Sequence, residues 1–162
     1  MGERPSEVGG EGASAATLAR EAIQTAGFSE VRPNARLRGI GLTVSFSAHD
    51  ARGRPWYFDV AGPNSAFRGG MARSETVWRA LGRAHVMAAR GFSPLVVLTT
   101  QLPRAGTEGD RAIRAAGPGA VFDAVDLSAS AARDRLSAYA SGRCAVPLPG
   151  FWAAADLAPG AV

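Results

Sequence analysis

Two kinds of residue in this sequence could do chemistry: one aspartate inside an aromatic segment, and a set of arginines that follows it. Asp59 lies in residues 56–62 (WYFDVAG), where large apolar side chains alternate with the period of a β-strand. Aspartate is uncommon in such a strand, which favours a functional carboxylate, although an ordinary hydrogen-bonded aspartate at a strand end stays open. Alternation along the strand places the side chains of Asp59 and Ala61 on the same face.

The basic residues are all arginines, 18 in number, because the sequence contains no lysine. Guanidinium groups match the geometry of phosphate, and the net charge of +4 is compatible with a polyanionic partner such as DNA. Four arginines follow the Asp59 strand at short distance: Arg68, Arg73, Arg79 and Arg83. A row of arginines on a helix is usually a solvated face, and contact with a DNA backbone is the alternative interpretation.

The elements that must position these residues alternate between helical and strand patterns. We predict helices over residues 14–26, 74–90 and 128–140, a short helix after Thr107, and strands over 28–32, 40–48, 56–61, 94–102 and 120–125. Residues 50–54 have turn chemistry, so the second and third strands form a β-hairpin. The continuous apolar run at 94–102 follows a helix and therefore predicts a parallel crossover into a buried strand.

Length and composition predict a single domain. A chain of 162 residues with 46% hydrophobic residues can bury one core, and residues 1–13, which are polar and glycine-rich, read as a disordered leader before a domain at 14–162. The sequence has neither a membrane-spanning apolar run nor a signal peptide, which predicts a cytoplasmic protein without a membrane partner. The single cysteine, Cys144, excludes an internal disulfide.

The order helix, strand, strand, strand, helix, strand resembles the core of the PD-(D/E)XK nucleases, the restriction-endonuclease-like superfamily, and the sequence is similar to an actinobacterial restriction-type group. The likeness covers roughly residues 14–102. In that family the second strand of the hairpin ends in an acid, a spacer and a lysine, often followed by glycine, and the equivalent stretch here is residues 58–62 (FDVAG). The resemblance implies an α/β fold with a three-layer core, in which helices flank a mixed central sheet containing the hairpin.

The resemblance also implies a function, which is cleavage of DNA by a Mg²⁺-dependent endonuclease of restriction type. Asp59 would be the metal ligand and a catalytic residue, because a carboxylate can hold Mg²⁺ that activates water. Thr43 stands near the position of the family's other acid, and Glu21 on the first helix is a second candidate for that role. The DNA contacts would come from the four arginines at 68, 73, 79 and 83. Asp50 is better explained by turn chemistry.

The sequence departs from the family pattern at the lysine, since Ala61 occupies that position. Arg68, Arg73 or Arg79 would have to replace it, and an arginine is an electrostatic stabiliser but a poor base. The alternative is therefore a catalytically degenerate member that binds DNA or a protein partner such as a DNA methyltransferase. A third interpretation is an α/β interaction module without a nucleic-acid role. Family members often act as homodimers, so a homodimer is a further expectation from the resemblance.

Overall fold

The computed structural model describes residues 14–61 and 70–159 and has an α/β architecture. The predicted leader at 1–13 and Arg68 lie outside the described residues. The helices are α1 (Ala15–Ala26), α2 (Ser74–Ala89), α3 (Glu108–Ala116) and α4 (Ser130–Ala140). The strands are β1 (Ser29–Leu37), β2 (Leu42–His49), β3 (Pro55–Val60), β4 (Leu95–Thr99) and β5 (Asp123–Asp126). Short 3₁₀ helices occur at Gly70–Ala72 and Ala154–Leu157.

The five strands form one mixed sheet in the order β1-β2-β3-β4-β5. Strands β1, β2 and β3 pair in antiparallel fashion, whereas β3, β4 and β5 are parallel neighbours. The hairpin of β2 and β3 and the parallel crossover through α2 are therefore confirmed. Strand β1 extends five residues beyond its predicted end and includes Pro33. Proline is tolerated there because β1 is the first strand in the sheet order, and a residue whose N position faces the open side of an edge strand has no hydrogen bond to lose.

Helices cover both faces of the sheet. The apolar residues of α1 and α4 pack into one cluster with Trp56 and Phe58, and those of α2 and α3 pack into a second cluster on the other face. Strand β4 is buried throughout: Val96 and Leu98 belong to the first cluster, and Val97 belongs to the second. None of the helices in the two described ranges has the length and apolar character needed to cross a bilayer.

Burial alternates along β2 with the period of a half-buried strand, but the buried residues divide between the two clusters. Phe46 and Ala48 pack into the α1/α4 cluster as one face of the strand, but Val44 is fully buried in the α2/α3 cluster. Phe46 forms the last pair between β2 and β3, so Val44 lies where β2 has left β3, on the side of α2.

The segment from Leu148 to Trp152 is held against the body of the domain. Trp152 is 1% exposed, and its indole N–H donates to the carbonyl of Phe122 at 2.9 Å. Tyr139 on α4 donates to the buried Asp123 carboxylate at 2.8 Å and accepts from the N–H of Leu148 at 3.0 Å. Burial, and next the charge of Asp123, raise the pKa of the Tyr139 hydroxyl, so it keeps the proton that it donates.

Asp50 organises the turn between β2 and β3. Its carboxylate is 3% exposed and accepts the backbone N–H groups of Arg52 and Arg54 at 2.9 and 3.0 Å, and the indole N–H of Trp56 at 2.9 Å. The Arg54 guanidinium donates a fourth bond at 3.2 Å. Burial alone would raise the pKa of Asp50, but these hydrogen bonds, led by Trp56, outweigh burial and lower it. The turn interpretation of Asp50 agrees with this geometry.

We expect Asp50→Asn to lower the free energy of unfolding by about 2–3 kcal/mol at neutral pH, because four donors then face a neutral amide. The folded pKa lies below the ordinary value of 3.8, so this contribution is complete above that pH and disappears as the pH falls through the folded pKa. Urea titrations at a series of pH values from neutral downwards should show that the difference in unfolding free energy between wild type and Asp50→Asn becomes smaller as the pH falls through the folded pKa. Asp134→Asn on the exposed side of α4 is the control, and a pH-independent gap would contradict the assignment.

Candidate functional site

Asp59 lies near the C-terminal end of β3 and faces α2. It sits beside Val97 of β4 in the parallel register, and its side chain is 13% exposed. The neighbouring positions Phe58 and Val60 face the opposite cluster, as the strand period requires. The single carboxylate of β3 is therefore on the sheet face that also packs against the arginine-bearing helix.

Strands β2 and β3 separate at this point. Their last backbone pair is Phe46 with Phe58, and beyond it side chains replace the ladder. The N–H of Val60 donates to the hydroxyl oxygen of Ser45 at 3.0 Å, while the N–H and hydroxyl of Ser45 donate to Asp59 Oδ1 at 3.2 and 3.3 Å. Ser45 thus satisfies the backbone groups that the parting strands would leave unpaired.

Arg83 of α2 closes the same gap. Its Nε donates to Asp59 Oδ2, one Nη donates to Oδ1 at 3.3 Å, and the same Nη donates to the carbonyl of Thr43. The Arg83 side chain is 27% exposed, so the ion pair is largely withdrawn from solvent. Both carboxylate oxygens of Asp59 are consequently taken by protein donors.

A cleft of about 320 Å³ opens next to this pair, between α2 and the end of β3. Its charged lining residues are Asp59, Arg73, Glu75, Arg79 and Arg83. Within the described part of the chain, neither Arg73 nor Arg79 forms an ion pair, whereas Arg83 is paired with Asp59. The cleft therefore presents two guanidinium groups that form no ion pair with a described carboxylate, and their charge exceeds that of Glu75, so anionic groups such as phosphate suit them.

The described residues do not form a Mg²⁺ site in this arrangement. Mg²⁺ needs oxygen ligands in near-octahedral geometry, and Arg83 and Ser45 already occupy the oxygens of Asp59. No group of three or more acidic, histidine or cysteine side chains is placed to hold a metal ion among residues 14–61 and 70–159. Glu75 is the second carboxylate of the cleft.

The residues that the sequence singled out have different fates. Arg73, Arg79 and Arg83 meet at the cleft with Asp59, and Ala61 also lines it. Thr43 is exposed and contributes only its carbonyl, which accepts from Arg83. Glu21 is not brought to Asp59. It is exposed on α1, across the sheet from the cleft, beside Arg133 and Asp134 of α4.

Two contributors to the site were missed from the sequence. Ser45 lies on β2 opposite the end of β3, and its bond to Asp59 depends on the separation of the two strands. Glu75 could have been found more simply, because it is an acid in the first turn of α2, where a negative charge interacts favourably with the helix dipole. That end of the helix borders the cleft.

Comparisons with protein-family models, with curated proteins and with solved structures gave no match to this chain. The likeness to the PD-(D/E)XK nucleases stays a prediction from the sequence.

We expect Asp59 and Arg83 to be energetically coupled. Asp59→Asn and Arg83→Met should each lower the free energy of unfolding by about 1–2 kcal/mol, because each leaves a partly buried charge without its partner. The double variant should lose about 1 kcal/mol less free energy of unfolding than the sum of the losses in the two single variants. Denaturant titration of all four proteins measures this coupling. Arg79→Met is the control and should stay within about 0.5 kcal/mol of wild type; strict additivity would show that the pair is not coupled.

Proposed function

We propose that this chain binds DNA through the arginine-lined cleft as a catalytically degenerate relative of the PD-(D/E)XK nucleases. The observation that carries the proposal is the division of charge in the cleft. Arg83 is bound to Asp59, while Arg73 and Arg79 line the same cleft without a described acidic partner. The cleft therefore attracts anions, and the partly buried carboxylate of Asp59 is held by Arg83 instead of being free to bind a metal ion.

A DNA backbone is a polyanion that suits this arrangement, for three reasons. The net charge of +4 attracts phosphate at long range, the two arginines donate in the geometry that phosphate oxygens accept, and Thr76 adds a hydroxyl to the lining. Such contacts hold the backbone and carry no base information, so the expected binding is salt-dependent and weakly sequence-selective.

We expect Arg73→Gln combined with Arg79→Gln to raise the Kd for a fluorescent duplex about tenfold. The slope of log K against log salt should also become shallower by roughly 1 to 2 units, because two phosphate contacts are lost. Fluorescence anisotropy at several salt concentrations measures both quantities. The matched control is Arg20→Gln combined with Arg111→Gln, which removes the same charge from exposed positions on α1 and α3. Equal weakening by both double variants, or no binding at low salt, would refute the proposal.

Metal-dependent cleavage of DNA is the second candidate, and one observation favours it: Asp59 and Glu75 line the same cleft. Two carboxylates could hold a divalent cation together with substrate oxygens, provided that Arg83 leaves Asp59. The binding proposal expects supercoiled plasmid to remain intact with Mg²⁺ or Mn²⁺. Nicking by wild type that Glu75→Gln abolishes would establish the second candidate, and Glu75 is exposed, so this variant should fold. Asp59→Ala serves as a further variant after its folding has been checked.

A further inference from the structure

The outer face of α2 carries an exposed apolar strip that the fold does not use. Trp78 is 53% exposed and Val86 is 40% exposed, and they are two of the three large apolar side chains exposed in the described ranges. Gly82 lies midway between them. Residues four apart share one face of a helix, so Trp78, Gly82 and Val86 form a continuous line that we call the α2 strip.

Gly82 has no role within the described fold that requires glycine. It lies in the middle of a 16-residue helix, and a Cβ built on it would meet no heavy atom within 4 Å. Glycine is a poor helix former, so alanine would suit the isolated chain better at this position. A missing side chain on an exposed helix face does allow another backbone to approach closely.

Trp78 is held in place although it is exposed. Its indole N–H donates to the carboxylate of Glu108 on α3 at 2.9 Å. The bond fixes the ring against the surface while leaving about half of the side chain accessible. An aromatic ring that is already ordered loses little conformational entropy when a partner covers it, which is typical of anchor residues in protein interfaces.

The ends of the α2 strip carry opposite charges. Glu75 lies in the first turn of α2, and Arg90 caps its C-terminus; both are exposed, and neither is in an ion pair with a described residue. Trp78 lies four residues before Gly82, and Val86 lies four residues after it. Glu75 lies seven residues before Gly82, and Arg90 lies eight residues after it. A two-fold axis through Gly82 would therefore place Trp78 against Val86, and Glu75 near Arg90, in both halves of the pair.

We propose that the α2 strip is a self-association surface, on which the α2 helices of two copies pack antiparallel across a two-fold axis at Gly82. The contact is isologous, so each apolar and each ionic pairing occurs twice. Helix α2 spans about 24 Å, and glycine at the crossing allows the axes to approach to about 8 Å. Arg83 is turned away towards Asp59 and takes no part in the contact, whereas Glu75 belongs both to the end of the strip and to the lining of the cleft, so the two surfaces share an edge. The surface does not depend on the proposed DNA binding.

Sedimentation velocity over a range of protein concentrations tests the surface, and we expect a reversible monomer–dimer equilibrium. Gly82→Ala distinguishes an effect on the interface from an effect on stability, because it should raise the Tm of the monomer while weakening dimerisation at least tenfold. A variant that merely damaged the fold would lower both the Tm and the affinity of dimerisation. An unchanged dimerisation constant in Gly82→Ala would overturn the proposal, as would a protein that is monomeric at all concentrations.

The two charges provide a second, independent test. Glu75→Arg and Arg90→Glu should each weaken dimerisation at least fivefold, and the combined swap should restore it, because the pairing is re-formed in reverse. Glu21→Arg on α1 makes the same charge change at an exposed position outside the strip and should leave the dimer intact. A combined swap that is weaker than either single variant would refute the two-fold arrangement. Loss of DNA binding in a monomeric Trp78→Ser variant would instead assign the strip to DNA.

Discussion

The ion pair between Asp59 and Arg83 is the interaction on which the site depends. It joins the third strand of the sheet to the helix that covers it, at the point where β2 and β3 separate and their backbone ladder ends. A carboxylate that is mostly buried needs donors, and a carbonyl released from a ladder needs one as well. Arg83 serves both groups, since its guanidinium reaches Asp59 and the carbonyl of Thr43 together. Ser45 completes the junction from the strand side.

The same pair sets the electrostatic character of the cleft. If Asp59 were unpaired, the cleft would hold two available carboxylates and would suit a divalent cation. With Arg83 bound to it, the remaining charges are Glu75 and two arginines, so the balance is positive. A phosphate group can use guanidinium donors directly, whereas a metal ion would first have to displace one. This is the physical reason to prefer backbone binding over cleavage for a chain whose sequence has alanine where the nuclease pattern has lysine.

Helix α2 performs different tasks on different sides. Its buried side, with Val77, Leu81 and Ala84, covers the sheet, and its flank carries the arginines of the cleft. The outward side bears the α2 strip, whose apolar side chains stay exposed to solvent although the indole N–H of Trp78 is bound to Glu108. One helix can therefore connect the core, the arginine-lined cleft and the exposed strip, because the helical period separates residues one apart by about 100°. A homodimer built on the strip would carry two clefts.

The sequence by itself determined the period of each main element and hence the side on which most residues lie. Alternation identified β3 and the position of Asp59, the apolar run identified β4 as a buried parallel strand, and the helical period assigned Arg79 to the polar part of α2. These conclusions follow from local geometry, which every residue of an element shares. The tertiary structure decided which distant segments meet, because the period of a single helix or strand does not specify those contacts. Val44 packs into the second core although Phe46 and Ala48 pack into the first, the carbonyl of Thr43 accepts from Arg83 beyond the last β2–β3 pair, and α1 packs on the face away from the cleft, which separates Glu21 from Asp59. Each of these results depends on how distant segments meet, and the polar groups that they expose or bury must then find partners wherever the fold provides them.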